Sequence, residues 1–294
     1  MLEMPIHSPV QRIQYRHPQA GVLQIDIKRD DLIHPYISGN KWRKLQYHLQ
    51  EARKLQKTNL LSFGGAWSNH LLALAFAGAQ FKFTSTALVR GEPVSNPMLQ
   101  MAKLMGMELH FISRGAYRDK VQLEKTYTTE NTYCIPEGAY SHLGAKGCGE
   151  ILHELEKQYA HIFCACGTGT TLAGLANAGK AWPYTHFHGI PVLKPGAYLH
   201  QEIDNLYPGL DNYSLHTEYH FGGYGKTKPE LLAFVQDFSA QTGVLIEPTY
   251  TAKALYGLFD LMHKGNFLDQ EVLFIHTGGL SGLLGHLDKI IPGT

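Results

Sequence analysis

Lys41, in the run Ser38-Gly39-Asn40-Lys41-Trp42-Arg43-Lys44-Leu45, is the residue whose position most resembles that of a nucleophile, because it falls at the start of a predicted helix. An ammonium in a first helical turn meets the positive end of the helix dipole. Burial also disfavours its charge, so both effects lower its pKa and release a free amine. Two glycine-rich turns could hold anions near such an amine. Gly167-Thr168-Gly169-Thr170-Thr171-Leu172-Ala173-Gly174 stands between a strand-like run and a helix, where backbone amides and threonine hydroxyls can cradle a phosphate. Gly64-Gly65-Ala66-Trp67-Ser68-Asn69-His70 is a second cradle, suited to a carboxylate, with Ser68 as a helix cap and Asn69 and His70 adding side chains that hydrogen-bond at close range. Two further segments lie where strand ends collect ligands in open α/β sheets: Glu247-Pro248-Thr249-Tyr250-Thr251 and His276-Thr277-Gly278-Gly279.

Each feature has a plainer reading. Lys41 could run along its own stem to solvent, as half-buried lysines do. The turn at 167–174 could be a simple strand-to-helix link, and His70 a satisfied surface histidine beside a capped helix. Nucleotide readings of the turn fail: a P-loop needs a lysine where Leu172 and Ala173 stand, and the GxGxxG fingerprint needs a glycine at Leu172. An isolated phosphate is what remains.

The elements that must carry these groups follow from periodicity. Apolar residues at Trp42, Leu45, Leu49 and Ala52 predict a helix over Asn40–Lys57, with Asn40 as its cap. At about 100° per residue, Lys41 flanks the buried stripe and Arg43 points the opposite way, toward water. Strand-like runs at Val22–Lys28, Asn59–Phe63, Thr84–Val89, Glu108–Ile112, Tyr133–Pro136, His161–Cys166, His186–Pro191 and Val272–His276 alternate with helical ones. The helical runs are 68–79, 96–105, a segment after His142, then 172–178, 229–241 and 251–262. Such alternation predicts parallel sheets with crossover helices.

Composition narrows the chemistry. With 294 residues, 44% hydrophobic and 17% charged, the chain can bury a full core in two lobes or one large domain. Lysine plus arginine total 26 against 25 acidic residues, with no long basic run, so no footprint for nucleic acid or anionic lipid is visible. No apolar run is long enough to span a membrane, and the N-terminal residues lack the pattern of a secretory signal; the expected location is the cytoplasm. Cys134, Cys148, Cys164 and Cys166 are too irregularly spaced for a disulfide framework, and Cys164 and Cys166 share one face of a strand as structural thiols. The 17 histidines show no paired ligand spacing such as HExxH, and no metal is expected.

Taken together, SGNKWRKL, the SNH loop, GTGTTLAG, FGGYGK, IEPTYTAKALYGL and FIHTGGLSG resemble, in order and spacing, the pyridoxal-phosphate enzymes of the aminocyclopropane-carboxylate deaminase and D-cysteine desulfhydrase family. The resemblance implies an α/β tryptophan-synthase-β-like fold (fold type II): two open twisted sheets with flanking helices, the smaller lobe, 46–140, inserted into a larger one made of 1–45 and 141–294. It also implies that Lys41 forms the Schiff base with pyridoxal 5′-phosphate, that Gly167, Thr168, Gly169, Thr170 and Thr171 hold the phosphate, that Asn69 bonds the ring hydroxyl and that Thr277 lies by the pyridine nitrogen. Ser68, Asn69, His70, Tyr224 and Tyr250 would contact the substrate, with Ser68 and Tyr250 as further proton-transfer groups. The implied activity is elimination from D-cysteine or a related β-substituted amino acid to a keto acid and ammonia, in a homodimer. Alternatives are an aminocyclopropane-carboxylate deaminase and a cofactor-binding homologue with weak or altered catalysis. Phe274 stands where the deaminase branch has a tyrosine, which speaks against opening of a cyclopropane ring; Trp67 stands where a glutamine is common and Trp42 where a smaller aliphatic residue is usual, and these two are expected to narrow or reshape the pocket.

Overall fold

The structure, a computed structural model, describes residues 4–267 and 269–291. The chain opens with a hairpin, β1 (Val10–His17) and β2 (Gly21–Lys28), followed by helix α1 (Asn40–Lys54). It then builds a unit of alternating strands and helices: β3 (Asn59–Gly65), α2 (Asn69–Gln80), β4 (Thr84–Arg90), α3 (Pro97–Leu104), β5 (Met107–Ile112), α4 (Lys120–Tyr127) and β6 (Thr132–Cys134). Next come α5 (His142–Gly149), β7 (His161–Cys166), α6 (Thr170–Ala178), β8 (His186–Pro191), α7 (Leu199–Leu206) and β9 (Tyr213–Leu215). The chain ends with α8 (Pro229–Thr242), α9 (Thr251–His263), β10 (Val272–Ile275) and α10 (Leu287–Ile290).

Two sheets result, ordered β1-β2-β10-β7-β8-β9 and β5-β4-β3-β6. Every pairing is parallel except the β1–β2 hairpin. A parallel sheet needs cover on both faces. The first has it: Ile25, Ile27, Phe163, Ala165 and Phe274 pack beneath α8 and α9, while Ile162, Cys164, Cys166, Leu273 and Ile275 face α6 and α7. Cys164 and Cys166 therefore share a face and Ala165 takes the other, as the strand period requires. The second sheet buries Leu60, Ala87 and Val89 against α1, α2 and α3, and Leu61, Phe63 and Leu88 on its other face.

Helix α1 ends at Lys54, short of the expected Lys57, and departs from the sequence expectation also at its cap and at Arg43. Its N-cap is Gly39, and Asn40 is already helical. Arg43 does not reach water; it is wholly buried, bonded to both carboxylate oxygens of Asp30 (3.1 and 2.9 Å) and to Glu154. Trp42 packs in the core of the second sheet, as its place in the apolar stripe predicts, its ring stacked 5.6 Å from Phe81. Beyond that helix, β1, α4, α7 and β9 were not expected from periodicity, and α6 starts at Thr170 rather than Leu172. Among the described residues no helix is long and apolar enough to cross a membrane.

Candidate active site

The C-terminal ends of both sheets face one cavity of about 820 Å³. Its floor is the start of α1. Two glycines make that position possible: a Cβ on Gly39 would lie 2.0 Å from the Thr277 carbonyl oxygen, and one on Gly278 would lie 2.0 Å from Ser38 Oγ. Both glycines also have positive φ, 59° and 71°. With no side chains between them, the SGN and HTGG loops interlock, Asn40 N–H donating to Thr277 O (3.3 Å) and Gly279 N–H to Ser38 Oγ (3.2 Å). Asp30 brackets the turn from outside: its carbonyl accepts Gly39 N–H at 3.0 Å while its carboxylate holds Arg43.

Lys41 leaves this turn and lines the cavity. Its Nζ donates to Asn40 Oδ1 at 2.6 Å and sits 5.9 Å from the centre of the Tyr250 ring. Burial, reinforced by the charge on Lys44, brings its amine down to about 7. Asn40 in turn donates from Nδ2 to Thr171 Oγ1 at 3.1 Å, which ties the lysine turn to the glycine-rich turn. In that second turn Gly169 has φ 76° and caps α6, and the Thr168 and Thr170 hydroxyls lie 2.7 Å apart. Gly167, Thr168, Gly169 and Thr171 line the cavity; Thr170 is fully buried behind them.

Across the cavity, Ser68 caps α2 by accepting Leu71 N–H at 3.3 Å, and the first amides of that helix have no partner within it. Ser68, Asn69 and His70 all line the cavity. His70 is not a surface histidine: it is 4% exposed, and burial together with Lys41 and Lys44 lowers its pKa to about 3. Tyr224 and Tyr250 close the mouth as an edge-to-face pair, 5.9 Å between ring centres. Burial, Tyr224 and Glu247 raise the Tyr250 phenol well above its ordinary value, so it stays protonated, a hydrogen-bond donor and a weak acid. Glu247, fully buried, positions Tyr250 by accepting the amides of Thr249, Tyr250 and Thr251 at 2.6 to 2.9 Å.

Several cavity-lining residues escaped the sequence reading, among them Arg90, Lys120, Glu137 and, most buried, Lys44. Lys44 is 5% exposed, lines the cavity and has a single long bond, to Gly138 O at 3.3 Å. Burial lowers its pKa. A Cβ on Gly138 would fall 3.0 Å from the Thr168 side chain, so this second ammonium stands beside the glycine-rich turn. Its spacing was the available signal, since residues three apart on a helix share a face and Lys41 already pointed inward. Conversely, neither Trp42 nor Phe274 lines the cavity; both are core residues and do not shape the pocket, whereas Trp67, 41% exposed, stands at its rim.

The sequence model of the pyridoxal-phosphate dependent enzymes matches residues 5–278. The chain belongs to this family. Its cofactor is pyridoxal 5′-phosphate, and the cavity suits it: a buried amine of lowered pKa, a glycine-rich turn opening a helix, and an almost unpartnered lysine beside that turn. A putative 1-aminocyclopropane-1-carboxylate deaminase of Pyrococcus horikoshii is 31% identical, covering 98% of this chain and 94% of its own. A bifunctional D-cysteine desulfhydrase/1-aminocyclopropane-1-carboxylate deaminase of Arabidopsis thaliana is also 31% identical, over 90% and 74% of the two chains. Among solved structures, an ACC deaminase homologue superposes with a TM-score of 0.83 at 29% identity, covering 98% and 94%. This pyridoxal-phosphate enzyme thus has the two-sheet fold of that homologue.

Proposed function

We propose that this enzyme is a lyase that removes a β-substituent from D-cysteine or a related small amino acid, yielding a keto acid, ammonia and the leaving group, here sulfide. The observation that carries this reading is the buried Lys41 amine, lowered to about 7 and set in one cavity with the glycine-rich turn at 167–171 and the Ser68–His70 loop. When bound, pyridoxal phosphate supplies an electron sink for the pair released at the substrate α-carbon. Lys41 Nζ is the nucleophile for the cofactor and, once freed, the base that takes the α-proton. The backbone amides from Thr168 to Thr171, the Thr168 and Thr171 hydroxyls that line the cavity and the Lys44 ammonium hold the phosphate. Asn69 and Thr277 orient the ring from its hydroxyl and nitrogen edges. Ser68 Oγ and the first amides of α2 bind the substrate carboxylate, and Tyr250, kept protonated, donates a hydrogen bond within the cavity while Tyr224 covers it. The smaller lobe, 46–140, then brings the carboxylate loop to a larger lobe that holds the phosphate. A homodimer is proposed from family membership, and sedimentation velocity decides it.

Deamination of aminocyclopropane-carboxylate is the second reading, favoured by the names of the relatives and by the position of Phe274, which lies outside the cavity and so gives no reason against it. One experiment separates the two. The purified enzyme is given D- and L-amino acids and aminocyclopropane-carboxylate in turn, with assays for pyruvate, sulfide, ammonia and 2-oxobutanoate. Pyruvate and sulfide from D-cysteine are expected. Product from none of the substrates would sink both readings, and 2-oxobutanoate alone would select the second.

A further inference from the structure

His70 carries a hydrogen-bond network that fixes where its proton is. Ser62, on β3 and fully buried, places its hydroxyl 2.8 Å from the Ile135 carbonyl oxygen and 2.8 Å from His70 Nε2. A carbonyl only accepts, so the single hydroxyl proton goes to Ile135, and Ser62 Oγ must accept from His70. The proton of the imidazole therefore sits on Nε2. Nδ1 is left as a bare acceptor, buried and without a partner among the described residues, on a ring that lines the cavity. Burial, with the neighbouring Lys41 and Lys44, opposes a second proton, so the ring stays neutral.

A neutral imidazole with its lone pair free cannot serve a carboxylate, which has nothing to donate. Resting on the lyase reading above, we propose that His70 is a specificity-determining residue whose Nδ1 accepts a hydrogen bond from the side-chain thiol or hydroxyl of the bound amino acid, and that Ser62 is the positioning residue that holds it in that tautomer. Elimination among the substrate's groups leaves this partner: the carboxylate accepts only, and the α-amine is engaged by the cofactor. A cysteine thiol with an ordinary pKa of about 8.5 still carries its proton at neutral pH. The freed Lys41 amine is already served by Asn40 Oδ1 at 2.6 Å.

The test has a spectroscopic and a kinetic arm, both on the holoenzyme. With ¹⁵N-labelled histidine, and the His70 signals identified by their loss in His70→Asn, long-range ¹H–¹⁵N correlation should show a protonated Nε2 and a bare Nδ1. In Ser62→Ala the tautomer preference should relax. Kinetically, cysteine and β-chloroalanine of the same hand differ in that only the first has a side-chain donor. In Ser62→Ala and His70→Asn, kcat/KM for cysteine relative to that for β-chloroalanine should fall by about tenfold, the scale of one lost hydrogen bond. A protonated Nδ1 in the native enzyme, or an equal fall for both substrates, would overturn the proposal. If the native enzyme turned over neither substrate, the lyase reading itself would fall, while the spectra would still report on Ser62 and His70.

Discussion

The two walls of the cavity are built differently. On the large-sheet side, the glycine-rich turn, the Thr277 loop and the Lys41 turn are interlocked backbone, with Thr170, Thr171 and Thr277 almost fully buried. On the small-sheet side, Ser68 and Asn69 are half-buried and Trp67 is exposed at the rim. Backbone amides at a helix start recognise an anion whatever side chains surround them, so the first wall suits an invariant phosphate. Side chains on a rim can change without disturbing the fold, so the second wall suits a substrate. On the proposed reading, cofactor affinity belongs to one side and selectivity to the other.

The comparison can be broken most directly at Lys41, which serves both walls. Lys41→Ala should lower turnover by about 10³-fold or more and abolish the visible absorption of the lysine-linked cofactor; a variant that kept the band would remove Lys41 from its assigned role. Arg43→Met tests whether the interlocked wall depends on its buried clamp. Removing one partner strands Asp30, and a loss of about 3–5 kcal/mol in unfolding free energy is expected by denaturant titration; a change below about 1 kcal/mol would mean the clamp is dispensable. Lys44→Met should weaken cofactor binding by about 10- to 100-fold, the scale of one charge-assisted bond, with little effect on KM once the cofactor is saturating. Equilibrium dialysis against the cofactor would show it, and an unchanged Kd would detach Lys44 from the phosphate.

Smaller effects sharpen the contrast. Because the Lys41 amine falls from an ordinary 10.5 to about 7, its free base, absent in acid, should accumulate as pH rises through that value. The rate of cofactor attachment to the apoenzyme should climb between about pH 6 and 8 and then level off; a rate flat over that range would mean a normally protonated lysine. Ser68→Ala should cost about 1 kcal/mol of stability by losing the cap and raise KM several-fold, leaving cofactor affinity unchanged. A fall in cofactor affinity instead would show that the two walls are not separable.

Legibility in the sequence followed the same division. The strand-turn-helix units that carry the glycine-rich turn, the Ser68 loop and Lys41 were readable because each is local: a period, a cap and a glycine within a dozen residues. β1 and β9 were not, being edge strands with mixed burial, the first mostly polar outside its partly buried alternation and the second only three residues long. Lys44 and His70 were misjudged or missed because their surroundings come from Gly138, Ser62 and Ile135, on other strands and loops.

Helix α1 shows most clearly what each level of description decides. The spacing of Trp42, Leu45, Leu49 and Ala52 determined that one stripe is buried, and that Lys41 flanks it. Only the tertiary structure decided what covers the opposite side. There α5 packs on the helix, and carboxylates 13 and 111 positions away in sequence converge on Arg43. Periodicity records which face of a helix is apolar; it holds no information about a second layer that covers the polar face with charges of its own. The sequence alone determined most of the alternating elements, their parallel pairing and the inward lysine. Tertiary contact decided the buried ion pairs, the lone pair on His70 and the second ammonium, because each depends on groups that meet only when the two sheets close on one cavity.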